Sequence, residues 1–236
     1  MKAIIERIIT ETPRVLSFVV KPGSPMSFKT GQAMRWNIPN VPAGRLFSVA
    51  TPGGDSVSEL WFTIRIFDEG KFTSHLRSLK AGDPIELLGP YGNFIFDETI
   101  QRDIGLIAGG SGVSVLRAIY LHVLTKKLPK KVHLVFSVIN VDEIIYRKEL
   151  EDLARTHNNF TYTVVVTEPH PSWKGKTGFV TSQIFSEEFK DYREEFFICG
   201  PQPFIDCAET ILNGAGVPKE RIHIDYWKFY PPKLMK

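Results

Sequence analysis

Residues 104–125 read IGLIAGGSGVSVLRAIYLHVLT, and the succession of parts in this stretch decides the fold. Ile104 to Ala108 is an apolar run of strand length, Gly109-Gly110-Ser111-Gly112 is a turn, and from Val113 the apolar residues continue as a helix to Thr125. A strand, a glycine-rich loop and a helix in immediate succession open a βαβ unit. Glycines let a backbone approach a pyrophosphate, and the start of a helix offers amide donors and a favourable dipole. The third glycine of the usual dinucleotide fingerprint is absent, because Val115 stands there. From this loop alone, a tight structural turn and a nucleotide site are both open.

Toward the C-terminus the same grammar repeats. Val132 to Val138, Tyr162 to Val166 and Phe196 to Cys199 are apolar or β-branched runs, as strands covered on both faces must be. Helices fit between them at Val113 to Thr125, Arg147 to Thr156, Thr181 to Phe189 and Pro203 to Gly214. A parallel sheet with right-handed crossovers follows. Its last apolar strand ends in Cys199-Gly200-Pro201-Gln202-Pro203, which lies at the same carboxyl rim as Gly109 to Gly112, the edge where ligands of open α/β sheets bind. Cys199 by itself reads as a buried small residue that closes a strand, the commoner fate of a lone cysteine.

Toward the N-terminus the pattern changes. Ile4 to Ile9, Val15 to Val20, Ala33 to Ile38, Leu46 to Ala50, Leu60 to Phe67 and Ile85 to Leu88 read as short strands separated by Gly and Pro, which predicts an antiparallel barrel or sandwich. One helical stretch, Phe72 to Leu79, would turn Phe72, His75, Leu76 and Leu79 to one face. The expected division is a β-barrel domain over residues 1–99, an α/β domain over 100–225 and a tail over 226–236.

Composition agrees with two globular domains: 236 residues, 43% hydrophobic and 23% charged. No apolar run approaches the roughly 18 residues of a membrane span. Met1 to Thr10 is neither a signal nor a transit peptide, so the expected location is cytoplasmic. A net charge of +3 with scattered Lys and Arg marks no nucleic-acid surface, and the basic tail Lys228 to Lys236 is too short to alter that. Two cysteines, Cys199 and Cys207, cannot ligate an ordinary iron–sulfur cluster, so any such cluster belongs to a partner. No metal site is expected.

Three stretches of the first half bear on chemistry. In Arg45-Leu46-Phe47-Ser48, strand alternation sets Arg45 and Phe47 on one face and Leu46 and Ser48 on the other. A cation beside an aromatic suits a phosphate and a ring, and an ordinary half-exposed strand suits the same residues. Gly70-Lys71-Phe72-Thr73-Ser74 sets hydroxyls near a helix start, where they cap amides or hold a diphosphate. Gly89 to Phe94 reads as a turn closing the last barrel strand.

Taken in order, these pieces resemble the ferredoxin–NADP reductase superfamily over roughly residues 1 to 225, and most closely the reductase components that feed electrons to oxygenases, without their iron–sulfur domain. Arg45, Phe47 and Ser48 match the family's flavin motif, Gly70 and Thr73 its flavin-phosphate motif, and Gly89 to Phe94 its Gly-Pro-x-Gly-x-Phe turn. Gly109 to Gly112 match its glycine loop and Cys199-Gly200-Pro201 its nicotinamide-side motif, while Trp173, Gly175 and Gly178 keep a common spacing. Phe47 stands in place of the usual Tyr, Val115 in place of a common Pro, and the chain runs past the usual end through Asp225-Tyr226-Trp227.

The resemblance implies an FAD between the domains, with Ser48 near its N5, Phe47 on its ring, and Arg45, Thr73 and neighbouring Leu46, Lys71 and Ser74 around its phosphates. It implies a nicotinamide dinucleotide entering over Gly109, Gly110, Ser111, Gly112, Cys199, Gly200 and Pro201, with Ser48 and Cys199 as the catalytic pair. The implied activity moves a hydride from NAD(P)H to FAD and then electrons to an external acceptor, a ferredoxin or an oxygenase component. NADH is the expected donor, because Ile139 and Glu168 occupy places where relatives carry Arg, and Asp142 and Glu168 would repel a 2′-phosphate unless Lys130, Lys131 or Lys174 reaches in. A diffusible flavin reductase and a non-catalytic electron-transfer subunit stay open beside this activity. The tail is read as a cover for the flavin or as a surface segment.

Overall fold

The computed structural model describes residues 1–226. In the first half, period-two patterning builds β1 (Lys2–Thr12), β2 (Val15–Pro22), β3 (Met26–Phe28), β4 (Ala33–Asn37), β5 (Arg45–Ser48), β6 (Gly54–Val57), β7 (Leu60–Arg65) and β8 (Pro84–Tyr91). Six of these pair antiparallel in the order β5-β4-β8-β1-β2-β7 and curl into a barrel-like layer, while β3 and β6 form a separate ribbon. Its core is built on Trp36, whose ring meets Phe18 and Phe62 edge-on at centroid distances of 5.4 and 5.0 Å, the geometry aromatic quadrupoles favour.

The second half contains β9 (Ile104–Gly109), α1 (Val113–Thr125), β10 (Val132–Val138), α2 (Arg147–Thr156), β11 (Phe160–Val166), β12 (Lys176–Thr177), α3 (Ser182–Glu188), β13 (Glu195–Cys199), α4 (Gln202–Gly214) and β14 (Ile222–Asp225). The strands form one parallel sheet in the order β12-β11-β10-β9-β13-β14. The chain starts at β9, winds outward to β12, then returns to β13 on the other side. The switch in winding therefore falls between β9 and β13, at the carboxyl ends of the strands where open α/β sheets bind their ligands. Apolar clusters cover both faces of the sheet. Helix α1 is buried nearly all round, because the sheet covers one side and the barrel half the other.

Several expectations need correction. The segment expected as a helix from Phe72 is a 3₁₀ turn, Thr73–Ser78, with Phe72 and Leu76 buried but His75 exposed. Thr73 and Ser74 do not cap it. The Thr73 hydroxyl instead accepts from Phe67 N and donates to Phe67 O, both at 3.2 Å, and Ser74 donates to Gly70 O at 2.7 Å. Gly89 to Phe94 is not wholly a turn, since β8 runs on to Tyr91 and Tyr91 pairs with Ala33. Gly89 has φ of +135° inside this strand, a conformation open to glycine, and the pairing register shifts there. Strands β3, β6, β12 and β14 were not expected, because two to four residues carry too little periodicity to read. Among the described residues, no helix is long and apolar enough to cross a membrane.

Candidate functional site

Backbone contact brings the two rim loops together. A side chain at Gly112 would stand 2.3 Å from the Cys199 carbonyl oxygen, and one at Gly200 would stand 3.1 Å from Gly109 Cα. One at Gly109 would stand 2.8 Å from the Phe204 ring. The segments 109–112 and 199–201 therefore pack main chain to main chain over the switch point, which only glycine permits. Gly110 is different: its φ is +52° and nothing lies within 4 Å of where a side chain would be. Beside it Ser111 is half-buried, and Pro201 is exposed and leads straight into α4. Two glycine loops and two helix starts at one rim, with open space at Gly110, fit the diphosphate of a dinucleotide.

The barrel half supplies the facing wall. Ser48 pairs with Ala33, and Ala33 pairs with Tyr91, so Ser48 and the exposed Tyr91 flank β4 in one row. Arg45 is exposed at the start of β5, Leu46 is half-buried, and the half-buried Phe47 turns toward the barrel core, its ring 5.9 Å from both Trp36 and Phe72. Ser48 is also buried. Alternation sets these two neighbours on opposite faces, and each face is covered: the barrel core takes part of Phe47 and the second domain covers Ser48. Gly70 packs on Thr73, whose hydroxyl would lie 2.3 Å from any side chain at position 70, while Lys71 beside it is exposed. The Gly-x-x-Thr spacing thus fixes a loop, and the exposed Lys71 and Arg45 charges suit a phosphate-bearing ligand.

One residue that sequence reasoning did not single out completes the joint. Asp225 closes β14 in register with Cys199, and its Oδ2 accepts from Ser48 Oγ at 3.5 Å and from Cys199 Sγ at 3.7 Å. Ser48 comes from the barrel and Cys199 from the sheet, so this carboxyl joins the two halves. Burial lifts the Asp225 carboxyl from its ordinary 3.8 to about 6, against the pull of the Cys199 and Ser48 hydrogen bonds. No sequence signal marked it, because Ile222-His223-Ile224-Asp225 is a strand of four residues, too short to show a period.

Farther along the rim, Ile139 is exposed at the end of β10, and Glu168 N donates to its carbonyl at 2.7 Å. Asp142 lies in a turn capped by Asn140. Trp173 donates from Nε1 to Lys176 O at 2.9 Å, Gly175 lies against its ring, and Gly178 has φ of +92°. Trp227 and the rest of the tail lie outside the described residues; Tyr226, the last of those described, donates to Glu209 at 3.3 Å.

Known proteins match both halves in this order. Residues 3–96 match the oxidoreductase FAD-binding domain and residues 106–210 the oxidoreductase NAD-binding domain. The chain is 30% identical over 217 residues to the reductase component DmpP of phenol 2-monooxygenase from Pseudomonas sp. strain CF600, covering 89% of this chain and 61% of that protein. It is likewise 30% identical to the reductase component of propane 2-monooxygenase from Rhodococcus jostii strain RHA1, covering 97% of this chain and 63% of that one. The chain thus spans about three fifths of the length of these relatives. Among solved structures, the ferredoxin reductase in carbazole 1,9a-dioxygenase superposes with a TM-score of 0.85 at 26% identity, over 95% of this chain and 68% of that one. With both domains matched in one order and the switch-point rim between them, the chain belongs to the ferredoxin reductase family of FAD- and NAD-binding oxidoreductases.

Proposed function

We propose that this chain is a flavin-dependent NAD(P)H oxidoreductase that passes electrons to a separate redox protein, a ferredoxin or an oxygenase component. The observation that carries it is the meeting of Ser48, Cys199 and Asp225 at the joint between a flavin-type and a nicotinamide-type domain. The acceptor class follows from the relatives, two of which are reductase components of monooxygenases. Residues 1–99 form the flavin-binding unit and 100–225 the nicotinamide-binding unit. Arg45, Leu46, Phe47, Ser48, Gly70, Lys71, Thr73 and Ser74 would hold FAD, and Gly109 to Gly112 with Cys199 to Pro201 would hold the dinucleotide. Bound there, the two cofactors supply the hydride and electron chemistry, which needs position and electrostatics from the protein more than an acid or base.

The protein's own part is specific. Ser48 presents a hydroxyl and Cys199 a thiol to one face of the joint, and the half-buried Asp225 carboxyl holds a proton more firmly than an exposed acid does. Asp142 and Glu168 at the far rim disfavour a 2′-phosphate and suit a ribose diol, so NADH is the donor. A cytoplasmic setting belongs to the same proposal, since neither cysteine forms a disulfide. Anaerobic titration of the chain, purified with the flavin it takes up during expression, tests it. NADH should bleach the flavin absorbance at far lower concentration than NADPH, and mass analysis of the released cofactor should give FAD. A chain that takes up no flavin, or that NADPH bleaches preferentially, would overturn the corresponding part.

A further inference from the structure

Helix α1 begins at the glycine loop, and its one arginine is buried: Arg117 is 6% exposed. A guanidinium so placed must have its donors satisfied. On one side Arg117 Nε donates to both carboxylate oxygens of Glu149 at 2.9 and 3.0 Å, and Nη2 donates to Oε2 at 2.6 Å. Tyr120, one turn along α1, donates to Glu149 Oε1 at 2.6 Å. On the other side Arg117 Nη1 crosses into the barrel half and donates to the Ala50 carbonyl at 2.9 Å. Two rings hold the guanidinium plane, Trp61 of β7 at 4.4 Å and Tyr146 at 5.1 Å.

Ala50 is two residues beyond Ser48, and its own amide donates to Trp61 O at 2.8 Å. The arginine five residues after the glycine loop, in α1, is therefore bonded to the main chain that carries Ser48. Gly112, at the head of the same helix, packs on the Cys199 carbonyl. A rigid path thus runs from Ser48 through Ala50, Arg117 and α1 to Gly112 and Cys199. Tyr146, which donates its hydroxyl to Thr63 and its amide to Glu11 at 3.3 Å, locks the α2 end of the clamp to the barrel.

We infer that Arg117 is a positioning residue that sets the separation between the Ser48 wall and the Cys199 wall, and so the width of the cleft between the domains. The salt bridge between Arg65 of β7 and Glu143 also joins the halves, at 3.3 Å, but it engages neither the Ser48 segment nor α1. This makes it the internal control.

Cleft width is read directly from Cys199, which is 1% exposed at the joint. The chain has two cysteines, so a Cys207→Ser background leaves Cys199 as the sole thiol. Its rate of alkylation by a small maleimide, measured without flavin or dinucleotide, reports local opening of the joint. Arg117→Lys keeps the charge beside Glu149 but replaces a planar fork with a single ammonium that cannot also reach Ala50. It should speed Cys199 labelling about tenfold, the effect of losing one charge-assisted hydrogen bond, while Arg65→Met leaves it within about twofold of the parent. Should Arg117→Lys not fold, Glu149→Gln loosens the same clamp and should speed labelling about threefold.

A second arm rests on the proposed oxidoreductase activity. In single-turnover reduction, Arg117→Lys should lower the hydride-transfer rate while FAD content and the Kd for NADH stay at parental values, a split that simple loss of folded protein does not produce. Parental labelling by folded Arg117→Lys, or by Glu149→Gln where the lysine variant does not fold, overturns the inference, and so does equal labelling by the Arg65 control. A chain that labels as expected but is never reduced by NADH would sink the functional reading and leave the positioning role standing.

Discussion

Asp225→Asn isolates the electrostatic part of the joint between the domains. Burial lifts this carboxyl from 3.8 to about 6, so the folded protein holds its proton more tightly than the unfolded chain does. Stability from this group is then complete below about pH 3.8 and is lost as pH rises through about 6. At about 1.4 kcal/mol per pH unit the full span is about 3 kcal/mol. The carboxyl is half-buried, and solvent access trims the effect to about 1–2 kcal/mol. Roughly half falls between about pH 5 and pH 8, because part of the ionisation cost is already incurred at pH 5. Asn stays neutral throughout, so the variant should gain about 0.5–1 kcal/mol on the parent over that interval. Urea unfolding of both proteins without cofactors, at both pH values and followed by tryptophan fluorescence, measures the gap. A gap that is constant with pH, or that narrows toward pH 8, would refute the assignment of a desolvated carboxyl at this position.

Replacing Arg45 with Ala should weaken FAD retention by about 1.5 kcal/mol, the low end for a charge-assisted phosphate contact because Arg45 is exposed; flavin release during dialysis against a competitor apoprotein measures it, and parental retention would remove Arg45 from the site. Ser48→Ala should keep its flavin and slow single-turnover reduction by NADH, and reduction at the parental rate would cancel the role given to its hydroxyl. Gly112→Ala brings a methyl group to 2.3 Å from the Cys199 carbonyl oxygen, where main chain must move, so calorimetry should show a loss of about 1–3 kcal/mol in stability. An unchanged Tm would mean that the two rim loops are not locked together.

What local sequence determined is what local physics governs. Val132–Val138, Val113–Thr125 and Arg147–Thr156 were legible to the residue, because a period of two or 3.6 sustained over seven or more residues is fixed by burial of one face or both. The glycine loop and the Cys199 loop were legible as a rim because parallel strands carry their ends to one edge. The sequence could not announce Asp225 or Arg117. Asp225 ends a four-residue strand, too short to show a period, and meets Ser48 only because β14 adds beside β13 and the barrel then closes over that edge. Arg117 sits among apolar residues on a helix, where a lone cation reads as a solvated position. Docking of the barrel buries it and turns it into a link. Phe47 and Ser48 make the same point side by side: alternation assigns faces within one sheet and gives half-buried Phe47 to the barrel core, while the second domain covers the other face, so the burial of Ser48 was decided by tertiary structure alone.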